Sequence, residues 1–92
     1  MSLTPTLALL VGQAVVVDVA PPVVYIGTLT EAADAFVVLE NADVHPLWNS
    51  TTSKELYVME VRRNGVQPTR KKVWLKMAEI LSVSRLEDVI LF

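Results

Sequence analysis

The side chains with the most evident chemistry are cations. Arg62, Arg63, Arg70, Lys71 and Lys72 flank Asn64-Gly65 and make up five of the chain's eight basic residues. Asn-Gly between two apolar stretches is a hairpin signal, so this spacing predicts a basic hairpin arm able to contact phosphates. The plainer alternative is a solvated tip whose charges blunt an exposed edge. Tyr57 and Trp74 could add stacking surfaces, although aromatic residues in strands are more often packed. His45 lies two residues after Asp43, but one imidazole and one carboxylate are too few ligands for a specific metal site. Glu31 and Asp34 fall in an expected turn, where carboxylates bond local backbone amides rather than form a catalytic pair. No Gly-rich phosphate loop, nucleophile elbow or His-Cys pair is present. The expectation is a protein that is not an enzyme and uses no cofactor and no metal.

The totals narrow the class further. Ninety-two residues suffice for a single domain over residues 1–92. The net charge is −2, without the strong basic excess of a protein that coats nucleic acid indiscriminately. Cysteine is absent, so disulfides and thiolate metal sites are excluded. The longest apolar runs fall far short of the roughly 20 residues that a membrane span needs. No positively charged start leads into a cleavable apolar stretch, and the expected location is cytoplasmic, with no membrane partner. The hydrophobic fraction is 52% and the mean hydropathy +0.44. A domain this small buries only about 60–65% of its unfolded surface, so much of that apolar content would stay exposed on a monomer. Large exposed apolar patches mark a partner, and a second copy of the same chain is the simplest one.

The elements that must carry these residues can be read in order. Residues 3–12 form a short helix, with Thr4 as N-cap, Pro5 at the first helical position and Gly12 as the stop. Leu7, Leu10 and Val11 give it an apolar stripe, and at this length it must dock on something. Gln13 to Ala20 reads as a valine-rich first strand that the Pro21-Pro22 pair breaks. Val15 and Val17 share one face, Val16 and Asp18 the other. Val23 to Thr30 is the second strand, and Gly27 within it marks a sharp bend or a close backbone approach. Both faces carry apolar residues, as expected if one meets the core and the other a partner or a helix.

Glu31 to Ala35 turn the chain into a third strand over Phe36 to Ala42. From His45 to Lys54 the composition is that of a loop. Glu55 to Arg63 alternates like a fourth strand before Asn64-Gly65. Lys71 to Lys76 and Ile80 to Arg85 follow as strands, joined by Met77-Ala78-Glu79. The tail admits two readings. One is a helix with Ser84 and Glu87 at capping-box spacing; the other is an edge strand over DVILF. A helix followed by several short strands in so few residues suggests a small closed barrel. Any edges left open would be natural sites for pairing with a neighbour.

With that order of elements, the chain resembles the Sm/LSm family of small ring-forming barrels, which includes the Hfq-like proteins. The residues that carry the resemblance are Tyr25-Ile26-Gly27-Thr28-Leu29, then Asp34, then Val37-Val38-Leu39-Glu40-Asn41-Ala42. Val73 to Ser84 falls where the family's second motif lies. The resemblance implies a mainly β fold: a strongly bent, five-stranded, Sm-like (SH3-like) barrel. A short N-terminal helix would precede it, and an enlarged loop or hairpin over residues 45–70 would join strands 3 and 4. It also implies a homo-oligomeric ring whose pore is lined by Asp34, Phe36, Lys76 and Met77, with single-stranded RNA held by stacking on Phe36 and by the charge of Lys76. Phe36 stands where the family typically has an Asn, and Lys76-Met77 where it has Arg-Gly. A ring here can stack on a base but cannot read its edge, and Lys lacks the planar fork of Arg. Two alternatives stay open. Phe36 and Met77 can be core or subunit-contact residues, and the barrel can be a scaffold that binds a protein partner and no nucleic acid.

Overall fold

Val15, Val16 and Val17 are all buried, so the first strand is covered on both of its faces. This strand, β1 (Ala14–Val19), lies inside a five-stranded antiparallel sheet with β2 (Val23–Ala32), β3 (Phe36–Pro46), β4 (Arg70–Lys76) and β5 (Ile80–Arg85). The strand order is β4-β3-β2-β1-β5. These relations come from a computed structural model that describes residues 3–20, 23–46 and 53–91. The break expected at Pro21-Pro22 and the middle of the expected loop, residues 47–52, lie outside the described residues.

One face of the sheet gathers Val15, Val17, Leu29, Val37, Leu39 and Leu75 into a core. Leu7, from the helix α1 (Thr4–Ala8), closes one side of it. The helix is shorter than residues 3–12 suggest, and Leu3, not Thr4, is its N-cap. The chain then turns to Gly12 (φ +93°), where the Gly12 amide donates to the Leu29 carbonyl at 2.7 Å. Thr4 Oγ1 donates to the Ala33 carbonyl at 3.3 Å. A five-residue helix cannot stand alone; burial of Leu7 and these bonds hold it. Val73 of β4 and Ile80 and Val83 of β5 pack against the same core, so both edge strands curl toward one interior. No ladder joins β4 to β5 among the described pairings, and the sheet is open at both.

The bending has local causes. Ile26 pairs with Asp43 and Thr28 with Glu40, so Gly27 alone faces Asn41 and Ala42. Asn41 takes φ +50° at this bulge. A second shift leaves Thr30 unpaired between Leu29 and Glu31, and a third falls between Asp18 and Val19, where Leu81 is extra in β5. Each bulge adds twist and turns the strand.

The largest departure from the sequence reading lies over 54–64. Glu55 to Arg63 is not a strand, and Asn64-Gly65 is not a hairpin turn. The segment is the helix α2 (Lys54–Asn64). Its ends explain why. The Ser53 side chain accepts a hydrogen bond from the Leu56 amide at 3.2 Å, Glu55 stands in the first turn and Arg62 and Arg63 in the last, where they complement the helix dipole. Gly65 then leaves the helix at φ +85°, and its amide donates to the Val61 carbonyl. Tyr57, Val58 and Val61 cover the second face of the sheet over Val16, Val24 and Ile26, with Leu86 beside them. So β3 runs on to Pro46 rather than ending at Ala42, and among its described residues the enlarged loop or hairpin expected between β3 and β4 contains a helix. Over its described residues, which end at Leu91, the tail is neither a capping-box helix nor an edge strand. A single 3₁₀ turn, Leu86–Asp88, follows β5, and the Arg85 guanidinium at its start donates to both carboxylate oxygens of Asp88 at 2.8 and 3.0 Å.

Candidate nucleic-acid interface

Four of the residues singled out from the sequence meet at one corner. Phe36, the first residue of β3, lies directly opposite Lys76, the last of β4. The Met77 amide donates to the Ala35 carbonyl at 2.9 Å, and the Ala33 amide to the Phe36 carbonyl at 2.8 Å, closing the turn that displays Asp34. Asp34 and Lys76 are exposed and Phe36 is half-buried. Met77 is half-buried against the main core, which gives it a packing role whatever else it does.

The five clustered cations do not form a hairpin arm. Arg62 and Arg63 close α2, whereas Arg70, Lys71 and Lys72 open β4. Arg62 lines a cleft of about 430 Å³ beside Gln13, Ala14 and Glu87, and Arg70 sits opposite Ala42 in the β3–β4 ladder. The helix splits what the sequence places together. The part left on β4 gains a ring: Lys72 Nζ stands 5.0 Å from the centroid of Trp74, a cation–π distance. Trp74 is 61% exposed, unlike the packed aromatic that a strand position suggests.

Tyr57 is packed. Its hydroxyl donates to Asp43 Oδ2 at 2.7 Å, and its ring stacks on His45 with centroids 4.1 Å apart. Thr69 Oγ1 donates to Asp43 Oδ1 at 3.0 Å. Burial first, and then the Asp43 carboxylate, push the Tyr57 hydroxyl well above its ordinary range. Asp43 and His45 thus tie α2 to β3. Among the described residues no group of three or more His, Cys, Asp or Glu could hold a metal ion. A second tie joins α2 to β1 and β5 on the same face: Lys54 Nζ lies 3.1 Å from Asp18 Oδ1, and Ser82 Oγ donates to Asp18 Oδ2 at 2.7 Å. Neither tie was legible in the sequence, because each depends on a helix read there as a strand.

Large apolar side chains stand in solvent on both open edges of the sheet, Trp74 on β4 and Leu81 on β5, the latter 70% exposed. Among the described residues no helix is long and apolar enough to cross a membrane. No protein-family model matches the chain, and comparison with curated proteins finds no match.

Proposed function

We propose that the chain is a subunit of an Sm-like ring that binds single-stranded RNA. Copies join edge to edge, and the bent sheet is completed as a barrel-like unit within the assembly. The observation that carries the reading is the pair of sheet edges, β4 and β5, that no ladder joins among the described residues, with Leu81 of β5 exposed. Such edges invite pairing with another chain, and a head-to-tail contact between two different edges closes into a ring when the rotation allows. The short helix ahead of five strands, and the place of Gly27 at a bulge between β2 and β3, fit the family resemblance.

The Phe36–Lys76 corner, with Asp34 and Met77 beside it, supplies the RNA contact, stacking from the ring and charge from the ammonium. Titration of short labelled oligouridylate and oligoadenylate at low and moderate salt tests this. Binding should weaken as salt rises and fall in Phe36→Ala and Lys76→Ala. Absence of binding to either oligomer at low salt removes the RNA reading. The second reading, a scaffold ring that binds a protein partner and no nucleic acid, is favoured by one observation: Met77 is held against the core. It predicts assembly with no oligonucleotide affinity.

A further inference from the structure

The geometry points to the outward face of β3 and β4, centred on Trp74, as a stacking platform for single-stranded nucleic acid whose phosphates pair with Lys72 and Lys76. The inference rests on the RNA reading above and moves the main contact from the turn at Phe36 to the middle of the edge strand.

Strand alternation fixes the face. Leu75 is buried in the main core and Val73 packs against it, so Lys72, Trp74 and Lys76 project to the opposite side, and all three are exposed. On β3, Val37 and Leu39 point into the core, which sends Phe36, Val38 and Glu40 to the opposite face; there Val38 is itself buried, and Phe36 and Glu40 are half-buried. The ladder places Phe36 against Lys76, Val38 against Trp74 and Glu40 against Lys72. One face therefore presents two rings, Phe36 and Trp74, with an ammonium on either side of the larger one. Lys72 Nζ stands over one face of the Trp74 ring, so a base stacks there by displacing this ammonium toward its own phosphate, or takes the other face. Glu40 opposite Lys72 offsets part of the charge at that end, and the exposed Asp34 in the turn beside Phe36 does so at the Lys76 end.

Charge and ring content together select the occupant. Arg70, Lys71, Lys72 and Lys76 put four of the chain's eight basic residues on a seven-residue strand, in a chain of net charge −2. A cationic strand calls for a polyanion. An exposed indole between cations calls for a polyanion with flat apolar faces between its charges, which a single strand offers and a duplex, with its bases stacked on one another, does not. Side-chain contacts on this face leave the β4 backbone free for pairing with a neighbouring copy.

The test uses the two tryptophans. In a Trp48→Phe protein, Trp74 is the sole tryptophan, and its fluorescence should be quenched saturably by oligouridylate and oligoadenylate. In the otherwise unaltered chain, Trp74→Thr keeps strand propensity but removes the ring. It should weaken labelled-oligomer binding by about five- to a hundredfold, while Trp74→Phe retains most of it. Lys72→Ala and Lys76→Ala should each lower the slope of log affinity against log salt by about 0.7. Circular dichroism of each variant should match that of the parent. Unchanged affinity in Trp74→Thr, with loss in Phe36→Ala and Lys76→Ala, overturns the platform and leaves the RNA reading standing. Absence of binding by the parent chain overturns both. Equal affinity for a duplex, for inorganic polyphosphate or for an acidic peptide also overturns the platform, since none of these offers unstacked bases.

Discussion

A Cβ built on Gly27 falls 2.8 Å from the Cβ of Ala42 and 2.9 Å from its Cα, with the Glu40 carbonyl oxygen at 3.2 Å. No real Cβ tolerates such contacts, and two of the three atoms are backbone, which cannot swing aside. Gly27 is therefore required by a close approach of two strands at the bulge that bends the sheet. Gly27→Ala should destabilise the fold by about 1–3 kcal/mol through overpacking, read as a lower urea midpoint. The pair Gly27→Ala with Ala42→Gly should recover part of that loss, because the nearest clash is between the two Cβ atoms. Purely additive losses would show that the two positions do not press on each other.

The ends of α2 make a separate prediction. Ser53→Ala removes the side-chain acceptor of the Leu56 amide and should cost about 1 kcal/mol. Gly65 adopts φ +85° and ψ 165°, a region closed to residues with a Cβ, so Gly65→Ala should cost about 1–3 kcal/mol. Both should lower the helical signal in circular dichroism. Unchanged urea midpoints in both variants would argue against a helix over these residues.

The strands β1, β2, β4 and β5, the start of β3 and the special place of Gly27 are legible because each is a local matter. Alternating valines and a glycine in a run of β-branched residues leave few options. The helix α2 was not, because Tyr57, Val58, Met59 and Val61 satisfy a strand alternation as readily as a helical stripe. Its deciding signals were at the ends: Ser53 before it, Glu55 early, the arginines late and Gly65 just beyond. Asn64-Gly65 is an equally good ending for a helix and for a hairpin arm, and the hairpin reading hid the alternative. The corner that joins Asp34, Phe36, Lys76 and Met77 followed from the family resemblance. The Lys72–Trp74 contact did not, because exposure of a strand aromatic depends on where the sheet ends. Ser84 and Glu87 had capping-box spacing, yet the chain makes only one 3₁₀ turn there, in which Leu86 is buried.

The burial of the Tyr57 hydroxyl, and after it the bond to Asp43, should be visible in alkali. The folded state holds the hydroxyl's pKa above its ordinary value, so the stabilisation is fully present below about pH 10. As pH rises past that point the unfolded chain gives up the proton while the folded chain keeps it, and stability falls. The thermal midpoint of the parent should therefore drop more steeply above about pH 10 than that of Tyr57→Phe. Parallel profiles for the two proteins would mean that Tyr57 is not held protonated by its surroundings.

Leu81 tests which edge takes part in assembly. It is the extra residue of the β5 bulge and stands mostly in solvent, so a charge there should leave the fold of a single subunit intact and oppose edge pairing. Leu81→Lys should shift the assembled mass toward that of the monomer in light scattering while preserving the dichroism spectrum. Retention of the parent mass would place the contact elsewhere.

The most direct test is the mass of the unaltered protein in solution. Multi-angle light scattering at micromolar concentration should give one species at a fixed multiple of 10.2 kDa, because edges that join head to tail and close give a ring of definite copy number. A single species at 10.2 kDa, stable on concentration, would contradict the account.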